Sequence, residues 1–111
     1  MPEKNALRVT ESWRASYHPA LVLRAGDTVT PGRKDAEYPG WQWVENSSGL
    51  GGWIPADILT GTRITQVFDS SELTVETGQT VTSLVTRANW HWCRDRQGRE
   101  GWLPTTHIEK T

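Results

Sequence analysis

The chain has 111 residues, with 12 basic and 13 acidic residues interspersed and a formal net charge of −1 at pH 7. This balance offers no extended basic face for phosphates, which disfavours nucleic acid as a partner. The single cysteine, Cys93, excludes an internal disulfide framework and leaves no cluster for structural zinc. The opening residues are charged and have no apolar core, so we expect a cytoplasmic protein without a secretory signal or membrane span.

The first predicted strand is Leu7–Trp13, where LRVTESW alternates apolar and polar residues. A related segment, RITQVF, stands at Arg63–Phe68. Aligning the two places Val9 over Ile64 and Trp13 over Phe68. The chain therefore carries two predicted repeats, each beginning with such a strand.

Each repeat continues with a strand, a turn and another strand, written LVLRAGDTVT in the first and LTVETGQTVT in the second. Gly26 and Gly78 stand at matching positions, where a positive φ would let the chain reverse. The first repeat then carries the loop PGRKDAEYPG, whose charges are predicted to be exposed and solvated.

The most informative pattern is a stretch that occurs twice, WQWVENSSGLGGWIP at 41–55 and WHWCRDRQGREGWLP at 90–104. Three tryptophans and a proline keep the same spacing in both copies, and each copy reads as a β-hairpin. Strand alternation places Val44 and Ile54 in the core and the tryptophans on the outer face. Cys93 aligns with Val44, which predicts a small buried side chain rather than a catalytic thiol.

The repeat predicts two domains, residues 1–60 and 61–111. No helical periodicity longer than one turn is present, so the fold class is all-β, with two tandem five-stranded barrels. Only TGT separates the repeats, a linker too short to be a flexible tether, and we expect the barrels to be closely packed.

Each repeat resembles a Src-homology-3 (SH3) domain of the variant type found in bacterial proteins. The residues that carry the resemblance are LVLRAGDTV, WQWV and GGWIP in the first repeat, and LTVETGQTV, WHWC and EGWLP in the second. The similarity covers about residues 7–59 and 62–109. It implies small barrels that bind extended, proline-rich or PPII-like peptides in an aromatic groove.

The resemblance assigns a ligand-binding groove to each repeat. In the first repeat these residues are Trp13, Trp41, Trp53 and Pro55, and in the second they are Phe68, Trp90, Trp102 and Pro104. The position where the family usually has a tyrosine is occupied by Ile58 and His107, and His107 could hydrogen-bond a ligand. Trp43 and Trp92 are interpreted as structural members of cross-strand aromatic pairs.

These observations predict a non-catalytic module that docks an extended peptide or protein segment, with no cofactor and no metal. We expect a monomer or weak homodimer. An alternative is a structural protein whose tryptophan faces form a domain or dimer interface. A less favoured alternative is stacking of nucleic-acid bases on the aromatic rings.

Overall fold

The computed structural model describes residues 5–16 and 19–111. Within these ranges the fold is all-β, as predicted, and the helical elements are two single-turn 3₁₀ helices, Ala56–Ile58 and Thr105–His107. No helix in this part of the chain is long and apolar enough to cross a membrane. The strands are β1 (Ala6–Val9), β2 (Val22–Leu23), β3 (Thr30–Lys34), β4 (Trp41–Glu45), β5 (Gly51–Pro55), β6 (Leu59–Thr60), β7 (Arg63–Ile64), β8 (Phe68–Asp69), β9 (Thr80–Arg87), β10 (Trp90–Arg94), β11 (Glu100–Pro104) and β12 (Ile108–Lys110).

The chain forms two compact units whose boundaries differ from the predicted 1–60 and 61–111. One unit, called here the discontinuous unit, combines Met1–His18 with Ser71–Thr111. The other, the continuous unit, is Pro19–Ser70. The difference arises because each unit is completed by the first strand of the other repeat.

The discontinuous unit contains a five-stranded sheet in the order β11-β10-β9-β1-β12. Strand β1 lies antiparallel to β9 on one side and to β12 on the other, with Val9 opposite Ile108. Its apolar side chains pack with those of the second repeat because β1 lies between β9 and β12 in this sheet. The core consists of Leu7, Val9, Leu73, Val75, Val81, Cys93, Leu103 and Ile108.

The continuous unit consists of the sheet β3-β4-β5 and two ribbons, β2-β8 and β6-β7. Both β7 and β8 come from the first strand of the second repeat. In the ribbons, Ile64 lies opposite Leu59 and Phe68 lies opposite Leu23. The buried apolar residues of this unit include Leu21, Leu23, Val29, Val44, Ile54, Ile58 and Ile64.

The two units use their first strands in equivalent ways. The backbone N–H of Gly78 donates to the carbonyl of Val9, and that of Gly26 donates to the carbonyl of Ile64, at N···O distances of 2.8 and 2.7 Å. Both glycines have φ of 94°, which confirms the turn predicted at these positions. Each first strand therefore fills the same structural position, but in the unit formed by the opposite repeat.

Two neighbouring apolar residues at the end of the first repeat differ in burial. Leu59 is half-buried, whereas Ile58 is fully buried. The 3₁₀ helix immediately before Leu59 explains the difference, because its tight turn directs Ile58 inward.

Candidate aromatic binding sites

The two tryptophan hairpins have the predicted strands and the same register. In β4–β5, Trp41 lies opposite Pro55 and Trp43 opposite Trp53. In β10–β11 the corresponding pairs are Trp90–Pro104 and Trp92–Trp102. Successive side chains of a strand point to opposite faces, so these residues share one face of each hairpin and Val44 and Cys93 face the core.

Each hairpin carries an edge-to-face tryptophan pair. The ring centroids of Trp43 and Trp53 are 5.3 Å apart with an interplanar angle of 71°. Those of Trp92 and Trp102 are 5.4 Å apart at 72°. This arrangement is favoured by the aromatic quadrupole, and it supports the structural interpretation of Trp43 and Trp92.

The first-strand aromatic rings lie in the opposite sites from those predicted. Trp13 was grouped with Trp41, but its ring centroid lies 5.4 Å from that of Trp90 and 5.0 Å from that of His107. Phe68 was grouped with Trp90, but it lies 6.0 Å from Trp41. The difference arises because each first strand lies in the unit formed by the other repeat, so its aromatic ring lies in that repeat's site.

Burial divides the predicted site residues into two groups. Half-buried side chains that keep an accessible edge are Trp13, Trp53 and His107. Buried side chains that support them are Trp41, Phe68, Trp90, Trp102, Pro55 and Pro104. The exposed fractions of Trp41 and Trp90 are only 5% and 7%, so a ligand would meet mainly the accessible rings.

The site of the discontinuous unit is bordered by carboxylates. The indole Nε1–H of Trp13 and the backbone N–H of Ser16 both donate to one carboxylate oxygen of Glu72, each at 3.1 Å. On the other side, Nε2 of His107 lies 3.7 Å from a carboxylate oxygen of Glu11. A positively charged group would therefore be favoured here. The contact that Glu72 makes with Trp13 was not found from sequence, because the partners are far apart in the chain.

The continuous unit surrounds its tryptophans differently. The guanidinium of Arg33 lies 5.1 Å from the ring centroid of Trp53, a cation–π geometry. Trp43 lies so close to Gly32 and Gly51 that a Cβ on either would be within 2.9 Å of its ring. The sequence analysis placed Arg33 in an exposed loop and missed this contact, whereas Arg33 lies in β3.

The thiol of Cys93 and the imidazole of His91 both belong to β10. Cys93 is fully buried, as predicted, and burial raises the pKa of its thiol to about 12. Burial lowers the pKa of His91, whose Nδ1 lies 2.7 Å from the hydroxyl oxygen of Ser83. Across residues 5–16 and 19–111, no three His, Cys, Asp or Glu side chains are grouped to hold a metal ion.

Comparison with known families identifies one domain type. Residues 7–60 match the family model of the variant SH3 domain, a type that is generally a non-catalytic binding module for protein or peptide segments. The match covers the first repeat, and a second tandem domain stays a prediction. Comparisons with curated proteins and with solved structures gave no match.

Proposed function

We propose that this protein is a non-catalytic adaptor that binds an extended, proline-containing protein segment at its aromatic sites. The observation that carries the proposal is that both units pack a first-strand aromatic ring against the hairpin's first tryptophan. Trp13 does so against Trp90, and Phe68 does so against Trp41. The variant SH3 match over residues 7–60 supports the same function.

The discontinuous unit has the more suitable surface for a PPII segment. Trp13 and His107 are both half-buried and meet nearly perpendicularly, with an interplanar angle of 84°. Two adjoining rings at such an angle form a step against which a proline ring can pack. Glu11 and Glu72 add negative charge at its border, so a basic residue beside the proline-containing segment would strengthen binding.

The continuous unit is proposed to accept a different segment. Trp53, one of its two half-buried tryptophans, already has the Arg33 guanidinium over its ring. Ile58 stands at the position of His107 and is fully buried, so it offers no polar group to a ligand. We therefore expect this site to be weaker for basic peptides and to tolerate acidic ones.

An NMR titration of the indole N–H signals tests the proposal, with an oligoproline peptide ending in arginines as the probe. We expect the Trp13 signal to shift progressively, while those of Trp43 and Trp92 stay in place. The control is a peptide of the same length and charge in which alanine replaces proline, because it loses the preformed PPII helix. Equal shifts with both peptides, or none with either, would contradict the proposal.

A substitution taken from the other repeat sharpens this test. His107→Ile gives the discontinuous unit the residue that the continuous unit carries at Ile58. We expect it to weaken binding at the Trp13 site severalfold and to leave the Trp53 signal unaffected by the change. Unaltered binding at Trp13 would remove His107 from the proposed contact surface.

A further inference from the structure

The position of β1 defines a second kind of binding surface, formed by backbone hydrogen bonds that the proposed function does not use. Strand β1 pairs with β9 through Ala6–Arg8 and with β12 through Leu7–Val9. Two further bonds extend this pairing, from Val9 N–H to the Gln79 carbonyl and from Thr10 N–H to the His107 carbonyl, both at 2.8 Å. We call the gap that β1 fills the strand slot. It holds an extended segment by backbone hydrogen bonds on both edges.

Side chains around the strand slot distinguish one first strand from another. Three of the side-chain contacts between the strand and the second repeat involve a charged group. They are an ion pair between Arg8 and Glu109, the approach of Glu11 to His107 and the hydrogen bond from Trp13 to Glu72. These contacts complement the slot in charge and hydrogen bonding, beyond its apolar packing.

The chain's other first strand would satisfy only one of the three contacts. It retains a basic residue, Arg63, at the position of Arg8. Gln66 replaces Glu11, which removes the carboxylate beside His107, and Phe68 replaces Trp13, which removes the N–H donated to Glu72. The strand slot therefore favours the Leu7–Trp13 strand over Arg63–Phe68.

The reciprocal exchange would be unfavourable for the continuous unit. There, Ile58 and Ala20 occupy the positions that correspond to His107 and Glu72. Ile58 is fully buried, so docking the Leu7–Trp13 strand would bring the Glu11 carboxylate against an apolar side chain. Each first strand thus matches the unit in which it lies.

We propose that the strand slot also binds the Leu7–Trp13 strand of a second copy of this chain, forming a strand-exchanged dimer. The slot is made by residues of Ser71–Thr111, whereas the strand continues along the chain into the continuous unit. An identical strand from another molecule makes the same backbone bonds and the same three side-chain contacts. Two chains that exchange this strand reciprocally form a closed dimer with little new interface.

Concentration decides between the two occupants. The strand of the same chain competes at an effective concentration on the order of millimolar. The monomer therefore predominates in dilute solution, and release of β1 requires breaking hydrogen bonds on both of its edges. Exchange is expected when chains refold together at high protein concentration.

The experiment uses two full-length chains with different affinity tags, both carrying Cys93→Val, the residue of the first repeat at that position. One chain carries Arg8→Cys and the other Glu109→Cys, because residues 8 and 109 are directly opposite in the β1–β12 register. The chains are unfolded together, refolded at high concentration and oxidised. We expect a disulfide-linked heterodimer on non-reducing electrophoresis and by intact mass.

The matched control pairs Arg8→Cys with Thr60→Cys, since Thr60 occupies in the continuous unit the position of Glu109. This pair reports docking of the strand in the wrong unit and should give several-fold less heterodimer. A second control adds Glu11→Gln and Trp13→Phe to the Arg8→Cys chain, which should lower the yield several-fold. Sedimentation of the unmodified protein after the same refolding should show a dimer.

Either of two results would contradict the strand-exchanged dimer. Yields from the 8 and 109 pair that are no higher than those from the 8 and 60 pair would overturn the proposal. Sedimentation of the unmodified protein as a monomer alone would also overturn it. Failure of peptide binding at Trp13 would not produce either result. The experiments therefore test the strand-exchanged dimer and the proposed function independently.

Discussion

The two tryptophan hairpins have the same ring geometry but support it with different chemistry. In the first hairpin, Trp43 lies against two glycines, Gly32 and Gly51, which leave room for its ring. In the second, Trp92 donates its indole N–H to Glu100 at 2.8 Å, and Glu100 also pairs with Arg94. The edge-to-face angle nevertheless differs by only one degree between the pairs. Strand register therefore dictates the ring geometry, and the supporting residues can vary.

Substitution of a hairpin glycine is expected to give the largest difference in stability between the two hairpins. A Cβ at Gly101 would lie 2.6 Å from backbone atoms of both Glu72 and Leu73, so Gly101→Ala must displace a main-chain segment. We expect a loss of about 3 kcal/mol in the free energy of unfolding, measured by urea denaturation. The control is Gly52→Ala in the first hairpin, whose closest contact is the side chain of Leu21 at 2.9 Å. Equal losses would show that the two hairpins are not packed differently.

The second prediction concerns the surface under Trp43. A Cβ at Gly51 would lie 2.1 Å from the Trp43 ring, so Gly51→Ala forces the half-buried ring to move away from Trp53. We expect a loss of about 1 kcal/mol, the size of an aromatic pair, and a weaker tryptophan exciton signal in circular dichroism. Glu100→Ala is the control at the matching position of the second hairpin. It adds no atom near Trp92, because residue 100 already has a Cβ, and it should retain the signal. A retained signal in Gly51→Ala would contradict the explanation.

The smallest predicted difference in stability between the two hairpins concerns their turns. Asn46 accepts hydrogen bonds from the backbone N–H groups of Ser48 and Leu50. Asp95, at the same position in the second hairpin, accepts two equivalent bonds and also pairs with the Arg99 side chain at 2.8 Å. Burial by itself would raise the pKa of Asp95, but the hydrogen bonds and charge of Arg99, with the bond from Gln97, lower it overall.

Asp95→Asn should therefore keep the turn and lose only the ionic contribution. Because Arg99 is largely solvated, we expect a loss below about 1 kcal/mol at neutral pH. The folded-state pKa of Asp95 lies below its unfolded value of about 3.9, so this contribution is complete above that pH and disappears as pH falls through the folded-state pKa. The urea midpoints of the unmodified protein and of Asp95→Asn, measured from neutral to acidic pH, give the size of this contribution. The matched control is Asn46→Asp, because the first hairpin has Leu50 at the position of Arg99 and offers the new carboxylate no arginine. A stability difference between the unmodified protein and Asp95→Asn that persists unchanged in acid would contradict the ionic contribution of Asp95.

Much of the fold and part of the site could be predicted from sequence because the relevant forces are local. Alternation placed Val44, Ile54 and Cys93 in the core, and the turns at Gly26 and Gly78 have the expected positive φ. The facing tryptophans followed from hairpin register. The grouping of Trp13 and Phe68 could not be predicted in this way, because both first strands have the same apolar pattern and either could enter either unit.

The sequence by itself determined the two repeats, their hairpins and the inward direction of Val44, Ile54 and Cys93, since these depend on short-range alternation and turn chemistry. Only the tertiary structure decided which first strand completes which unit. That choice depends on pairs distant in the chain, such as Trp13 with Glu72 and Glu11 with His107, whose complementarity becomes visible only when the strands are placed side by side. The same long-range pairing determined the composition of the two aromatic sites.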